Sequence, residues 1–296
     1  MGKHVFGGDW TSDKLERVRK YLCAYTTIFR SNVRASYFTT IYVDAFAGTG
    51  HRVESAGRRG KAAAGMLQDI ADSDAVALQK GSARIALEVD PPFDRFLFIE
   101  RSARRVKELE ELRNEFSDRA DMIEIRQGDA NEVLRQWCRQ SDWQRHRAVI
   151  FLDPYGMQVD WATIEAIAAT KAVDLWVLFP LGVAVNRLLT RNEPPPEKWA
   201  DALTRFFGNE EWKQEFYPKK KERTLFGDEE TERKEADFAR IGRFFGKRLK
   251  TIFAQVAPNP LILNNSKGVP IYLLCFAAGN PKGAPTAVKI AKDILK

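Results

Sequence analysis

The chain has few of the residues that build metal centres and covalent cross-links. Its 296 residues include three cysteines and three histidines. The cysteines are far apart and form no CxxC pair: Cys23, Cys138 and Cys275. The histidines are equally scattered: His4, His51 and His146. This spacing excludes a disulfide framework and favours neither a zinc nor an iron–sulfur site. We therefore predict no metal ligand and no catalytic histidine, and we interpret the cysteines as small buried residues.

The chain also lacks a long apolar run. The best stretch, residues 173–185, is interrupted by Asp174 and is too short to cross a bilayer. The first residues do not show the charged-then-apolar pattern of a secretory signal. These two absences predict a chain without a membrane partner and, by default, a cytoplasmic location.

The chain is rich in charged residues of both signs. The 47 basic residues outnumber the 40 acidic ones and give a formal net charge of +7. A positive balance suits a polyanionic partner such as RNA or DNA, although most of the charge is locally mixed. The apolar fraction of 44% is enough for a sizeable core in one large α/β domain or two small ones.

Strand patterns alternate with helical patterns through the first two thirds of the chain. Five short apolar segments have the composition of buried strands: 41–46, 96–100, 122–127, 147–153 and 174–179. Helical patterns at 130–141 and 161–170 lie between the later strands. Repeated strand and helix units predict a mostly parallel sheet that helices cover on both faces.

The other segments suggest how the chain is divided. An amphipathic helix begins near Asp13, with Asp13 and Glu16 as a capping pair. The sequence NEPPPEKW breaks the alternation at Asn192, and apolar segments at 260–276 predict a closing hairpin before a last helix at 288–295. We predict four parts: an N-terminal helical segment (1–36), a core (37–191), a mainly helical basic insertion (192–257), and C-terminal strands and a helix that complete the core (258–296).

Carboxylates stand at the ends of the predicted strands. Glu100 ends the second strand, Asp129 follows the third and Asp153 ends the fourth, while Asp44 lies inside the first. In an open parallel sheet, ligands bind beyond the carboxyl ends of the strands, and an acidic residue after the second strand can accept hydrogen bonds from ribose hydroxyls. This arrangement predicts an adenosine site.

A glycine-rich turn follows the first strand. Gly48 and Gly50 in the sequence AGTG would let the backbone approach a ligand closely. Alone, this sequence is more typical of a tight strand-to-helix turn, but its coincidence with Glu100 and Asp129 favours a ligand site. The GxGxxG fingerprint is incomplete because Val53 holds the third glycine position, so a dinucleotide enzyme is disfavoured.

The motifs VDAFAGTG, FIE, GDAN and FLDPYG occur in this order, and in this order they resemble the successive motifs of class I S-adenosylmethionine-dependent methyltransferases. More narrowly, the sequence resembles the three-Cys-motif partner proteins from about residue 12 to about residue 185. It departs from that family at Thr49, where proline is common, and at Ala83, where a G-S-P helix start would place proline. The resemblance implies an α/β, Rossmann-like class I methyltransferase fold with a mostly parallel sheet, a C-terminal antiparallel hairpin and a helical insertion.

The resemblance also implies a cofactor, S-adenosylmethionine, and seven residues that would bind it: Asp44, Phe46, Gly48, Gly50, Glu100, Asp129 and Ala130. Gly48 and Gly50 would lie against the methionine end of the cofactor. Glu100 would bind its ribose, and Asp129 would receive the adenine amine. Asp44 would lie beside the amino group, which a carboxylate can hold by a charge-assisted hydrogen bond.

The sequence DPYG resembles the turn with which amino-group methyltransferases grip a target nitrogen. In that role Asp153 and the Pro154 carbonyl would accept hydrogen bonds from an exocyclic amine, and Tyr155 would stack on a base taken out of its helix. These three residues are the candidate catalytic residues. The alternative is that Asp153 caps the following helix and Tyr155 packs in the core.

A basic amphipathic helix is predicted in the insertion. Its apolar stripe is flanked by four basic residues that could contact nucleic-acid phosphates: Arg240, Arg243, Lys247 and Lys250. An ordinary solvated helix face explains the same pattern. A third interpretation is a protein-docking face centred on Phe244 or Phe245.

Two functions are compatible with these observations. The favoured one is methyl transfer from S-adenosylmethionine to an amino group of a nucleic-acid base through the DPYG turn. The alternative is a non-catalytic or only cofactor-binding partner subunit of a three-cysteine-motif protein, in a phage-defence or mobile-element system.

Overall fold

The computed structural model describes residues 9–47, 81–224 and 227–296 of the chain. The strands of this part are β1 Thr39–Asp44, β2 Arg95–Glu100, β3 Ile123–Gln127, β4 His146–Leu152, β5 Val173–Phe179, β6 Lys219–Thr224, β7 Gly227–Glu232, β8 Gln255–Val256, β9 Leu261–Asn264 and β10 Pro270–Ala278. The helices are α1 Asp9–Ser31, α2 Ser82–Leu87, α3 Ala103–Glu115, α4 Ala130–Gln140, α5 Trp161–Ala169, α6 Asn186–Leu188, α7 Glu197–Phe207, α8 Glu211–Phe216, α9 Phe238–Lys250 and α10 Ala284–Ile294. A 3₁₀ turn, Ser117–Met122, precedes β3, and a π-helical turn, Leu181–Val185, follows β5.

The order of the strands identifies the fold. Eight described strands form one sheet in the order β3-β2-β1-β4-β5-β10-β8, and β9 pairs with β10 outside this path. The first five strands are parallel to one another, whereas β10 is antiparallel to β5. The chain starts in the middle of the sheet, winds to one edge and returns to the other, which is the doubly wound arrangement. The predicted Rossmann-like class I methyltransferase fold, with its antiparallel C-terminal hairpin, is confirmed.

Helices bury both faces of the sheet. Alternate residues of a strand point to opposite faces. In β1, Val43 belongs to the core cluster that includes residues of α4, α5 and α7 to α9, whereas Tyr42 belongs to the cluster that includes residues of α1, α2, α3 and α10. Both side chains are fully buried, as the continuous apolar composition of the predicted strands requires. Cys138 and Cys275 are buried as predicted, and Cys23 is half-buried.

The segment after Asn192 is more closely joined to the core than its sequence indicated. It contains α7, α8 and α9, but also the antiparallel β6–β7 hairpin, which the helical prediction missed. Strand β8 lies inside the predicted 192–257 insertion and nevertheless pairs with β10 in the main sheet. Where α7 ends, Gly208 adopts φ +78°, and a Cβ there would come within 1.9 Å of the Trp161 ring on α5. The four-part division of the chain stays a prediction.

Helix α1 begins earlier than its sequence indicated. The capping interpretation of Asp13 is wrong, because the helix has already begun at Asp9 and Asp13 accepts a hydrogen bond from Arg17 at 3.0 Å. The first turns of α1 lie at the carboxyl end of the sheet, beside the candidate site. None of the helices described is both long enough and apolar enough to cross a membrane.

Candidate functional site

A cavity of about 1000 Å³ opens at the carboxyl ends of the parallel strands. It lies where a doubly wound fold binds its ligands, beside β1, around which the winding reverses direction. Its wall includes residues that follow β1, β2, β3 and β4, and the π-helical turn after β5. Among the predicted site residues, five line this cavity: Phe46, Glu100, Asp129, Ala130 and Tyr155. Gly48 and Gly50 lie outside the described residues.

Asp44 lies beneath the cavity at the end of β1. It pairs in register with Phe98 of β2 and Phe151 of β4, so it is two residues deeper than Glu100 and Asp153. Its Oδ1 accepts a hydrogen bond from the Phe46 amide at 3.2 Å, while its buried Oδ2 has no partner among the described residues. Burial raises the pKa of Asp44, the nearby Ser82 hydroxyl opposes this shift and the Asp153 charge adds to it, so that the resulting pKa is about 7. A buried, unsatisfied carboxylate oxygen is costly, and it fits a ligand that brings a cationic donor.

Glu100 ends β2 at the edge of the cavity. The Ser102 amide donates to its Oε1 at 2.7 Å, and Arg105 Nη1 lies 3.7 Å from its Oε2. The second distance is too long for a hydrogen bond and describes a loose ion pair. The carboxylate therefore keeps acceptor capacity for two adjacent hydroxyl groups, such as those of a ribose.

Asp129 has a structural role in addition to the predicted one. It is the N-cap of α4, and its Oδ1 accepts hydrogen bonds from the amides of Asn131 at 2.9 Å and Glu132 at 3.3 Å. A capping aspartate satisfies amides that the first helical turn leaves unpaired. Because these bonds use one carboxylate oxygen, the other can still accept from an amine in the cavity.

Asp153 forms a buried ion pair that the sequence analysis missed. The Nζ of Lys14, on α1, donates to its Oδ2 at 2.6 Å, with the lysine side chain fully buried and 9% of the aspartate side chain exposed. Burial lowers the pKa of Lys14, whereas the charges of Asp153 and Asp44 oppose that shift. The alternative in which Asp153 caps the next helix is wrong, because α5 begins only after Asp160. Lys14 is in helical register with buried Val18 and Tyr21, and a lysine in such a stripe was the available signal.

Tyr155 faces the cavity instead of packing in the core. Its ring is half-buried, and the Arg105 guanidinium carbon lies 5.5 Å from the ring centroid. Its buried hydroxyl has no described partner within hydrogen-bond distance, and burial raises its pKa to about 12 against the opposing effect of the nearby Arg105. Pro154 before it is buried, and Gly156 after it adopts φ +67°, a conformation that a residue with a Cβ rarely takes.

Asn131 fixes the loop behind this turn. Its Nδ2 donates to the Gln158 carbonyl at 2.8 Å, and its Oδ1 accepts from the Asp160 amide and the Thr163 hydroxyl, both at 2.9 Å. The last residue of the GDAN motif is therefore a structural brace, which explains its residue type without contact to a ligand.

The basic residues of α9 are not equivalent to one another. Arg240 donates to Glu215 at 3.0 Å and lies 3.6 Å from Glu235, whereas the other three predicted phosphate contacts are exposed: Arg243, Lys247 and Lys250. Phe244 and Phe245 are buried against the core, so neither ring can form the centre of a docking face. None of these residues lines the cavity.

Comparison with known proteins supports the fold. No family model and no curated protein matches the chain. Protein LPL1258 from Legionella pneumophila, described by the family model DUF519, has a similar structure: the TM-score is 0.50 at 13% identity, over 99% of this chain and 92% of that one. At this identity the likeness shows the fold alone.

Two further solved structures overlap less well. A Listeria monocytogenes protein provisionally named an S-adenosylmethionine dependent methyltransferase has a TM-score of 0.33 at 10% identity, over 81% of this chain and 91% of that chain. The DhpI–SAH complex has a TM-score of 0.29 at 12% identity, over 92% and 97%. We draw no argument from these two scores.

Proposed function

We propose that the chain is an S-adenosylmethionine-dependent methyltransferase that modifies an amino group of a nucleic-acid base. One observation carries the proposal: the candidate ribose residue Glu100 and the acceptor-turn residue Tyr155 line the same cavity, next to the buried Asp44 of β1 and the buried Asp153 that follows β4. This arrangement supports both a nucleoside site and a nitrogen-binding site within one cleft.

The donor set fits the proposed cofactor. Asp44 offers an unsatisfied carboxylate oxygen for an ammonium group, Glu100 offers acceptors for ribose hydroxyls, and Asp129 offers one for the adenine amine. When bound, S-adenosylmethionine supplies an electrophilic methyl group. The described residues thus offer acidic oxygens for each of the three groups with which such a molecule donates hydrogen bonds.

Asp153 would orient and deprotonate the acceptor. Lys14 binds Oδ2, and Oδ1 makes no hydrogen bond to a described residue, so Oδ1 can accept one from an exocyclic amine. That contact, with the Pro154 carbonyl as a second acceptor, would turn the nitrogen lone pair out of the ring plane. When the nitrogen gains a methyl group it must lose a proton, and Asp153 is the adjacent group that can take it. Lys14, which is itself fully buried, compensates the charge of the carboxylate.

The wall around Tyr155 supports a flat acceptor. Met157, Val183, Ala184 and Leu188 line the cavity on this side, and Ala184 lies 4.0 Å from where a Cβ of Gly156 would stand. An aromatic ring beside an apolar wall suits a base removed from its stack. The net charge of +7 supports a polyanion as the molecule that carries the base.

Methyl-transfer assays test the proposal. Purified protein should incorporate labelled methyl from S-adenosylmethionine into bulk RNA or DNA, and Asp153→Asn should reduce incorporation at least about 100-fold. Its affinity for S-adenosylhomocysteine should stay within about threefold, because Asp153 serves the acceptor. The matched control is Asp174→Asn, which changes an equally buried aspartate at the opposite end of the sheet, hydrogen-bonded to Tyr21 at 2.7 Å.

Three outcomes are informative. Unchanged transfer by a folded Asp153→Asn protein would show that the DPYG turn is structural. Binding of S-adenosylhomocysteine without transfer to any nucleic acid would favour the cofactor-binding partner subunit. No binding of either cofactor form at millimolar concentration would contradict the proposal.

A further inference from the structure

Arg105 lies in an unusual place for an arginine of a helical first turn. Its guanidinium group is 3.7 Å from the Oε2 of Glu100 and 5.5 Å from the centre of the Tyr155 ring, and its side chain is 31% exposed. Glu100 ends β2, and Tyr155 follows β4. The side chain thus connects the ribose candidate with the acceptor turn.

The sheet order shows what lies beneath the guanidinium. Strand β1 is between β2 and β4, and its residues pair with both. Adjacent strands are about 4.8 Å apart, so the ends of β2 and β4 are roughly 10 Å apart. A group that contacts both Glu100 and Tyr155 must therefore lie above the end of β1, where Ala45 and Phe46 line the cavity.

A nucleoside cofactor would occupy the same space. A ligand that reaches from Glu100 toward the buried Asp44 must cross the end of β1. We infer that Arg105 competes with the cofactor for this position and is displaced when the cofactor binds. The inference rests on the proposed function, because it takes the cofactor site to be at Glu100 and Asp44.

The contacts of Arg105 are suited to being exchanged. The pair with Glu100 is too long for a hydrogen bond, and the Tyr155 hydroxyl near Arg105 is also beyond hydrogen-bond distance. A partly exposed ion pair and a cation–π contact are each weak. Ribose hydroxyls can replace the guanidinium at Glu100. The displaced Arg105 would then reach the cavity mouth, where an acceptor carries phosphates.

Calorimetry with S-adenosylhomocysteine tests the competition. Arg105→Gln should bind this ligand about three- to tenfold more tightly than the wild type, because nothing has to leave Glu100. The matched control is Lys107→Gln, which removes an exposed cation of the same helix that does not line the cavity. Its affinity should stay within about twofold of wild type. In a Glu100→Gln background the gain from Arg105→Gln should shrink, because the arginine has lost its charged partner.

A second measurement uses the unmodified protein. Phenylglyoxal labels accessible arginines, and peptide mass spectrometry would follow Arg105 with and without S-adenosylhomocysteine. Displacement predicts faster labelling of Arg105 when the ligand is present, whereas ordinary occupancy protects a nearby arginine.

The outcomes separate the inference from the proposed function. If wild type binds the ligand, and Arg105→Gln binds it no more tightly or Arg105 becomes protected, the inference is wrong and the cofactor site stands. If neither wild type nor Arg105→Gln binds, both are wrong. Tighter binding by Arg105→Gln with faster labelling of wild-type Arg105 supports both.

Discussion

At the scale of single residues, the site depends on three buried charges. Asp44 and Asp153 are buried with one lysine, Lys14, which forms its ion pair with Asp153. One cation cannot neutralise two carboxylates in a medium of low dielectric constant. The excess negative charge is at Asp44, whose pKa burial raises to about 7. A ligand with an ammonium group would supply the missing positive charge.

This balance predicts a pH dependence of ligand binding. The ammonium group of S-adenosylhomocysteine binds the ionised form of Asp44, so affinity should rise as pH increases from 5.5 through about 7, by up to about tenfold per unit below that pKa. Asp44→Asn should bind more weakly and lose this dependence. Calorimetry across this range measures both effects, and an equally steep profile in Asp44→Asn would contradict the assignment.

The pH dependence of protein stability provides a control for the assignment of Asp44. Its direction follows from the difference in the pKa of Asp44 between the folded and unfolded states. Unfolded Asp44 loses its proton near pH 3.9, folded Asp44 near 7. Between these values the folded state holds more protons, so the free energy of unfolding contributed by this group falls as pH rises. The difference in free energy of unfolding between Asp44→Asn and wild type should therefore shift in favour of Asp44→Asn from pH 5 to pH 8. Thermal unfolding at the two pH values measures this shift.

Sequence reasoning reached some of these residues and not others. Glu100, Asp129 and Tyr155 could be placed because each follows a strand, and parallel strands bring their ends to one edge. Lys14 was not identified, because its partner is 139 positions away and a lysine on an amphipathic helix is ordinarily solvated. Arg105 was missed for the same reason: its position over β1 follows from how its side chain extends, which residue spacing does not reveal.

At the scale of elements, strand positions were predictable within about two residues. The β1 prediction, 41–46, was displaced because Ala45 and Phe46 turn away after Asp44. The β6–β7 hairpin was missed because its strands, KKKERT and GDEETE, consist almost entirely of charged and polar residues and give no apolar pattern. In α9, the apolar stripe correctly indicated the buried face, but the basic stripe did not show which charges are already paired.

A salt titration tests the basic face of α9. If its exposed cations bind phosphates, the triple variant Arg243→Gln, Lys247→Gln, Lys250→Gln should flatten the log–log salt dependence of nucleic-acid affinity by about 2 to 3. Arg240→Gln is the matched control: it should leave the slope unchanged, because Glu215 and Glu235 already compensate that charge. Fluorescence anisotropy with labelled RNA and DNA measures the slopes. An unchanged slope in the triple variant would identify α9 as a solvated face.

At the scale of the whole molecule, the segment after Asn192 shares the core of the sheet. Phe245 of α9 stacks on Phe179 of β5, with ring centroids 4.3 Å apart, and Phe206 of α7 is 5.6 Å from the same ring. The Arg248 guanidinium lies 4.7 Å from the Trp161 ring. A segment that fills one face of the sheet in this way cannot leave without exposing β5 to water.

Such packing predicts that the insertion and the sheet unfold together. Phe245 is fully buried, and Phe245→Ala should lower the free energy of unfolding by about 3 to 5 kcal/mol while preserving a single transition and the urea m-value. Phe238→Ala, at the half-buried first residue of the same helix, should cost clearly less. Tryptophan fluorescence reports on both parts, because Trp199 and Trp212 lie in the insertion and Trp161 and Trp176 lie in the core. If the two parts unfold together, urea titrations followed by fluorescence and by circular dichroism should coincide. An early transition seen by one probe only would show that the segment is an independent unit, and its basic helix would then be free to bind a partner apart from the cavity.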